Sequence, residues 1–137
     1  MAFYKSRTYT TEEKMLYAAI KSAETIEKYT ELGWPDLQGT DKQIPWAMGI
    51  KMKAVNYFQE IENINCFKQY IDEDIEFYNN IINDNNIETI KEYMMDNFIM
   101  KCNNCSYLIK HRFEEPRKLL IEFIRESWND GIIKGIE

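Results

Sequence analysis

The sequence predicts an all-α fold, a compact bundle of five or six helices in a single domain spanning 1–137. Three observations predict it. Apolar residues recur every three or four positions almost throughout, the period of one helix face. The three prolines, with Gly33, Gly39 and Gly131, fall at the breaks of that pattern. No alternating run long enough for a strand survives. A chain of 137 residues, 45% hydrophobic and 14% aromatic, is of ordinary domain size and can bury a core without disulfides.

Residues 1–9 read as an N-terminal arm. Thr10 and Glu13 have the spacing of a capping box, which satisfies free N–H groups at a helix start. Behind them Leu16, Ala19, Ala23, Ile26 and Thr30 form one stripe. Gly33 followed by Trp34-Pro35 ends the helix, since Gly adopts the left-handed cap and Pro cannot continue the ladder. Residues 33–45 then read as an ordered loop, pinned by Trp34, Leu37 and Ile44. Pro45 suits the first turn of a second helix, because it needs no N–H there. That helix carries Trp46, Ile50, Ala54, Tyr57, Phe58, Ile61 and Ile64. A third runs through Phe67, Ile71, Ile75, Tyr78 and Ile82, and Asn83-Asp84-Asn85-Asn86 marks a turn. A fourth passes Ile90, Met94 and Phe98. Its register continues through Cys102, Cys105 and Ile109 to Phe113, as one helix or as two broken at Asn103-Asn104. Pro116 opens the last helix, with Leu119, Leu120, Phe123, Ile124 and Trp128, and Gly131 is its stop.

The net charge is −6, and it is unevenly placed. Residues 1–59 hold eight basic and seven acidic side chains, 60–100 hold two and ten, and 101–137 hold seven and six. The middle third therefore carries −8 and contains no arginine. An acidic chain argues against direct nucleic-acid binding, which needs a basic surface. The block suits either a solvated face or a docking surface for a basic partner, with Asp72, Glu73, Asp74 and Glu76 as its partner-binding residues.

Three cysteines, no signal-like apolar run and no span of 18 apolar residues suggest reduced thiols in a cytoplasm, away from membranes. Abundant Ile and Asn beside a single valine, Val55, suggest an AT-rich genome such as a low-GC bacterium or its phage. Cys66, Cys102, Cys105 and His111 include enough ligand types for zinc. However, only one paired cluster is visible, and Cys102 and Cys105 fall in step with an apolar stripe. Core thiols are the reading, with no metal and no cofactor expected. Lys110, His111, Arg112 and Arg117 form a cationic cluster that could hold an anion, with Tyr107 and Phe113 near enough to stack on a base.

No nucleophile elbow, phosphate loop or dinucleotide fingerprint occurs, so no catalytic residue is assigned. The leading expectation is a small acidic interaction protein, an inhibitor that blocks a partner protein with a basic surface. By size and charge alone it is comparable to phage anti-defence or toxin-immunity proteins. One alternative is a protein that sequesters a nucleotide signal. Another is a Mg²⁺-dependent all-α nucleotide pyrophosphohydrolase, for which Glu24-Thr25-Ile26-Glu27 and Glu73-Asp74-Ile75-Glu76 supply half the carboxylate spacing. The rich aromatic content either fills the core or forms a homodimer interface.

Overall fold

A computed structural model of the chain describes residues 9–62 and 87–131. The predicted third helix, the turn at 83–86, the acidic quartet Asp72, Glu73, Asp74 and Glu76, Cys66 and most of the N-terminal arm lie outside the described residues.

The described chain is all-α, in five helices. Helix α1 spans Thr11–Leu32. Thr10 and Glu13 make the expected capping box, with reciprocal bonds of 3.1 and 3.2 Å. Gly33 closes the helix in the left-handed conformation at φ 70°. The predicted stripe is displaced, however. Ser22, Thr25 and Tyr29 face the body, and of these Tyr29 is buried. Leu16, Ala19, Ala23, Ile26 and Thr30 are exposed. The crossing with α2 explains the shift. It occurs at Gly49, where an added Cβ would lie 4.0 Å from the Thr25 methyl, so small side chains bring the helices together. Tyr29 then reaches inward because its hydroxyl finds an acceptor in the loop, the Pro35 carbonyl at 2.6 Å.

Helix α2, Gln43–Gln59, is the centre of the bundle and packs against all four other helices. Ala47, Met48, Lys51, Ala54, Val55 and Phe58 are buried on it. Pro45 lies in its first turn, and Thr40 and Gln43 bond reciprocally just ahead of it. Trp46 and Tyr57, expected inside, are exposed. They flank a face that is already occupied by smaller apolar groups and Lys51.

The loop between α1 and α2 is ordered, as its apolar side chains predict. Leu37 is buried and Trp34 packs edge-on against Tyr29. Two backbone bonds also tie it down: the Gln38 N–H donates to Asn103 O at 2.7 Å, and the Cys105 N–H donates to Gln38 O at 3.0 Å.

The stretch from 87 to 110 resolves into two helices, α3 (Ile87–Lys101) and α4 (Cys105–Lys110). The break falls where two asparagines compete with the helix for its backbone. Asn104 caps α4 by accepting from the Tyr107 N–H, and the Asn103 side chain donates back to Met100 O. The interruption shifts the register. Ile90, Met94, Phe98, Cys102 and Cys105 are buried as expected, but Leu108 takes the core place given to Ile109. Phe113, at the end of the predicted stripe, is 87% exposed.

Helix α5, Pro116–Asn129, begins with proline in its first turn under a Glu115 cap and is followed by Gly131 at φ 75°. Leu119, Leu120, Ile121 and Ile124 enter the core. Phe123 lies edge-on between Phe98 and Tyr107.

Candidate functional site

Among the described residues three places hold chemistry: a cleft beside the α4–α5 turn, a buried lysine on α2, and the outer face of α1.

The cleft has a volume of about 690 Å³ and lies between α2 and residues 111–119. Trp46, Ile50 and Lys53 form one wall, and His111, Arg112, Phe113 and Glu114 the other. The Arg112 guanidinium sits 5.3 Å from the Trp46 ring centroid and 4.4 Å from that of Phe113. Its Nη1 donates to Ile109 O at 2.8 Å, which uses one of five N–H donors. His111 caps the C-terminus of α4, packs on Tyr107 at 4.4 Å, and places Nδ1 2.7 Å from the Glu114 carboxylate.

Of the four predicted anion-binding residues, His111 and Arg112 line this cleft. Lys110 and Arg117 do not. Lys110 is exposed on the last turn of α4. Arg117 donates to Tyr57 O at 2.8 Å, to Glu60 at 2.9 Å and to Glu115 at 3.2 Å, so it links α5 to the end of α2. Trp46 and Lys53 complete the cleft from a distant part of the sequence. Local spacing around residue 111 carries no sign of them.

The buried lysine is Lys51, with 0% exposure. Its Nζ donates to Ile99 O at 2.7 Å, Asn103 Oδ1 at 2.9 Å and the Tyr29 hydroxyl at 3.3 Å. Three acceptors thus meet three ammonium donors. The Tyr29 and Trp34 rings lie 5.7 and 5.6 Å away and add cation–π attraction. Burial pulls the Lys51 ammonium down to about 8 and pushes the Tyr29 phenol up to about 12. This cluster ties α1, the first loop, α2 and the α3–α4 break to one nitrogen. Complete enclosure makes it a structural centre: no solute reaches it. A signal was present in the sequence, because Ala47, Met48, Ala54 and Val55, the helical neighbours of Lys51, are all apolar.

Cys102 and Cys105 are buried free thiols, as their place in the apolar stripe predicts. Burial pushes Cys102 up to about 12 and raises Cys105 too. Thiolate, the reactive form, is therefore suppressed at both. Native protein treated with iodoacetamide at pH 7.5 (about a unit below a free thiol) should leave both unlabelled, and denatured protein should label fully. Peptide mass mapping reads the result, and rapid native labelling of either would contradict their enclosure. Among the described residues no three His, Cys, Asp or Glu side chains are grouped to hold a metal ion. Glu24 and Glu27 are exposed on α1. Among the described residues no helix is long and apolar enough to cross a membrane.

The outer face of α1 is the third place. Met15, Leu16, Tyr17 and Ile20 are 68, 63, 64 and 49% exposed. With Tyr9, Glu13 and Lys14, the last three of these line a shallow apolar depression.

Comparison with known proteins finds no matching family model, no matching curated protein and no matching solved structure.

Proposed function

We propose that the protein is an interaction protein that docks on a partner protein and blocks it. The observation that carries this reading is the outer face of α1, where Met15, Leu16, Tyr17 and Ile20, within two turns, stand in solvent. A helix of 22 residues that buries only Tyr29 leaves its apolar surface for something else. Amphipathic helices are commonly recognised by lying in an apolar groove, with anchors three and four residues apart.

Charge supports a basic partner. The chain carries −6 overall, and α1 itself has five glutamates against three lysines. The partner is a protein whose apolar groove is bordered by lysine and arginine. Helix α1 supplies contact, and the acidic stretch containing Asp72, Glu73, Asp74 and Glu76 supplies steering.

Paired baits test this against lysate of the source cell. The wild type should retain a protein that Leu16→Glu/Ile20→Glu loses, since truncating or charging anchor residues costs about 2 kcal/mol or more. Reversal of Asp72, Glu73, Asp74 and Glu76 to lysine should slow association with that same protein about tenfold or more at low salt. Equal retention of every protein by wild type and the α1 variant would overturn the reading. So would a salt-independent association rate unchanged by the reversal.

A further inference from the structure

We infer that the cleft beside Trp46 and Arg112 is a binding site for nucleoside phosphates, ligands that join a planar aromatic base to a phosphate. This rests on observations separate from the α1 face.

Two large aromatic side chains stand in water here without covering the core. Trp46 is 51% exposed and Phe113 is 87% exposed. Exposed aromatics so close to a cation are more than scattered surface apolarity, which is usually single. Their rings offer stacking faces that every base can use. The cleft, at about 690 Å³, is of the size that small-molecule sites occupy.

The charges select an anion. Arg112 has four N–H donors beyond the one held by Ile109 O, and a guanidinium fork matches phosphate geometry. The Lys53 ammonium lies 5.9 Å from the Tyr57 ring and forms no ion pair among the described residues. Among the described residues the one carboxylate lining the cleft, Glu114, is turned to its own wall, where an oxygen lies 2.7 Å from His111 Nδ1. Lys53 and Arg112, on opposite walls, form no ion pair among the described residues and leave two cations for an anion.

The two requirements act together. Phosphate alone would leave both rings in water, and a nucleoside alone would leave both cations unpaired. Only the joined ligand meets both. Arg112 is already in cation–π contact with both rings, so it is placed to turn its remaining donors to a phosphate while a base stacks on the exposed part of Trp46.

Isothermal titration calorimetry of the full chain with adenosine 5′-monophosphate and guanosine 5′-monophosphate tests this. Adenosine and inorganic phosphate serve as separate probes. The expected result is saturable binding of a mononucleotide in the micromolar to millimolar range, with each half weaker by about tenfold or more. Trp46→Ala and Arg112→Ala should each weaken the nucleotide about tenfold. Their thermal unfolding midpoints should stay near that of wild type, because both side chains are exposed. Leu16→Glu/Ile20→Glu should bind the nucleotide normally, which keeps this test independent of the α1 face. No mononucleotide binding at millimolar concentration would overturn the inference, as would binding unchanged in both cleft variants. Tighter binding of a short peptide with a phenylalanine beside aspartates would also overturn it, assigning the cleft to protein recognition instead.

Discussion

Lys51→Ala is expected to lower the unfolding free energy by about 2–5 kcal/mol, the range of large-to-small changes in a closed core. The loss has two parts. A void opens in the middle of α2, and three acceptors lose their donor: Ile99 O, Asn103 Oδ1 and the Tyr29 hydroxyl oxygen. Lys51→Met separates them, because it fills the void and leaves the acceptors unpaired. It should cost about 1–3 kcal/mol, the penalty for stranding buried polar groups. Urea unfolding followed by circular dichroism measures both, and an alanine variant as stable as wild type would refute the central role of this nitrogen.

The same residue makes stability depend on pH in a particular direction. In the folded chain burial holds the Lys51 ammonium at about 8, against an ordinary 10.5 when unfolded. Between these values the unfolded chain binds more protons. The contribution of Lys51 is therefore complete above 10.5 and is lost as pH falls through about 8. Its slope is limited to about 1.4 kcal/mol per pH unit. Tyr29 and Cys102, both pushed up to about 12 mainly by burial, act the other way at alkaline pH, because the folded chain keeps protons that the unfolded chain gives up. The difference between wild type and Lys51→Met cancels most of that background. Measured at pH 7 and again near pH 9 (a little above the folded value), it should move in favour of wild type. An unchanged difference would mean that Lys51 titrates as an ordinary surface lysine.

Gly39→Ala is the second large effect, and an exposure profile alone would not suggest it, since Gly39 is exposed. An added Cβ would meet the Cys105 Cβ at 2.7 Å, the Cys105 Sγ at 2.8 Å and the Gln43 Oε1 at 2.8 Å. Cys105 is fully buried and cannot retreat. Gln43 Oε1 is the acceptor for the Thr40 N–H at the start of α2. The loop must therefore move away, and the backbone bonds of Gln38 to Asn103 and Cys105 would stretch with it. Overpacking of this kind costs about 1–3 kcal/mol. Hydrogen exchange should show the Gln38 and Cys105 amides losing protection well beyond the rest of the core. Exchange and stability equal to wild type would show that the loop is not held against Cys105. Gly33→Ala provides a contrast. Its Cβ would meet nothing within 4 Å, and its cost comes from φ 70° alone.

The parts of the fold legible in the sequence are those set by neighbours in the chain. Thr10 and Glu13 cap α1 because three residues of helix bring them together, and Gly33, Pro116 and Gly131 act through their own backbone limits. The inward side of α1 lies one residue away from its apolar stripe for the opposite reason. Which face of a helix turns inward depends on what it meets, and Gly49 admits Thr25 there. Phe113 stands outside the core for a similar reason, since two asparagines reset the register that carries the stripe to Cys102.

The candidate site was half legible. His111 and Arg112 stand out in a short cationic stretch, but their partners Trp46 and Lys53 come from α2, some sixty residues away by number. Lys51 shows the same limit from the other side. Its sequence neighbours are apolar, yet a lysine can snorkel to water from such a place, so the pattern alone does not place it inside. Only the meeting of Ile99, Asn103 and Tyr29 around it gave the ammonium enough acceptors to stay inside.

By itself, then, the sequence determined an all-α chain, its caps and stops, the ordered loop and the two core thiols. These follow from periodicity and local backbone chemistry, which act over a turn or two of helix. The tertiary structure decided where α1 faces, that residues 87–110 form two helices, that Lys51 is enclosed, and which cations share a cleft with exposed aromatics. Those outcomes depend on contacts between distant segments, whose geometry is set by packing and by the pairing of buried polar groups.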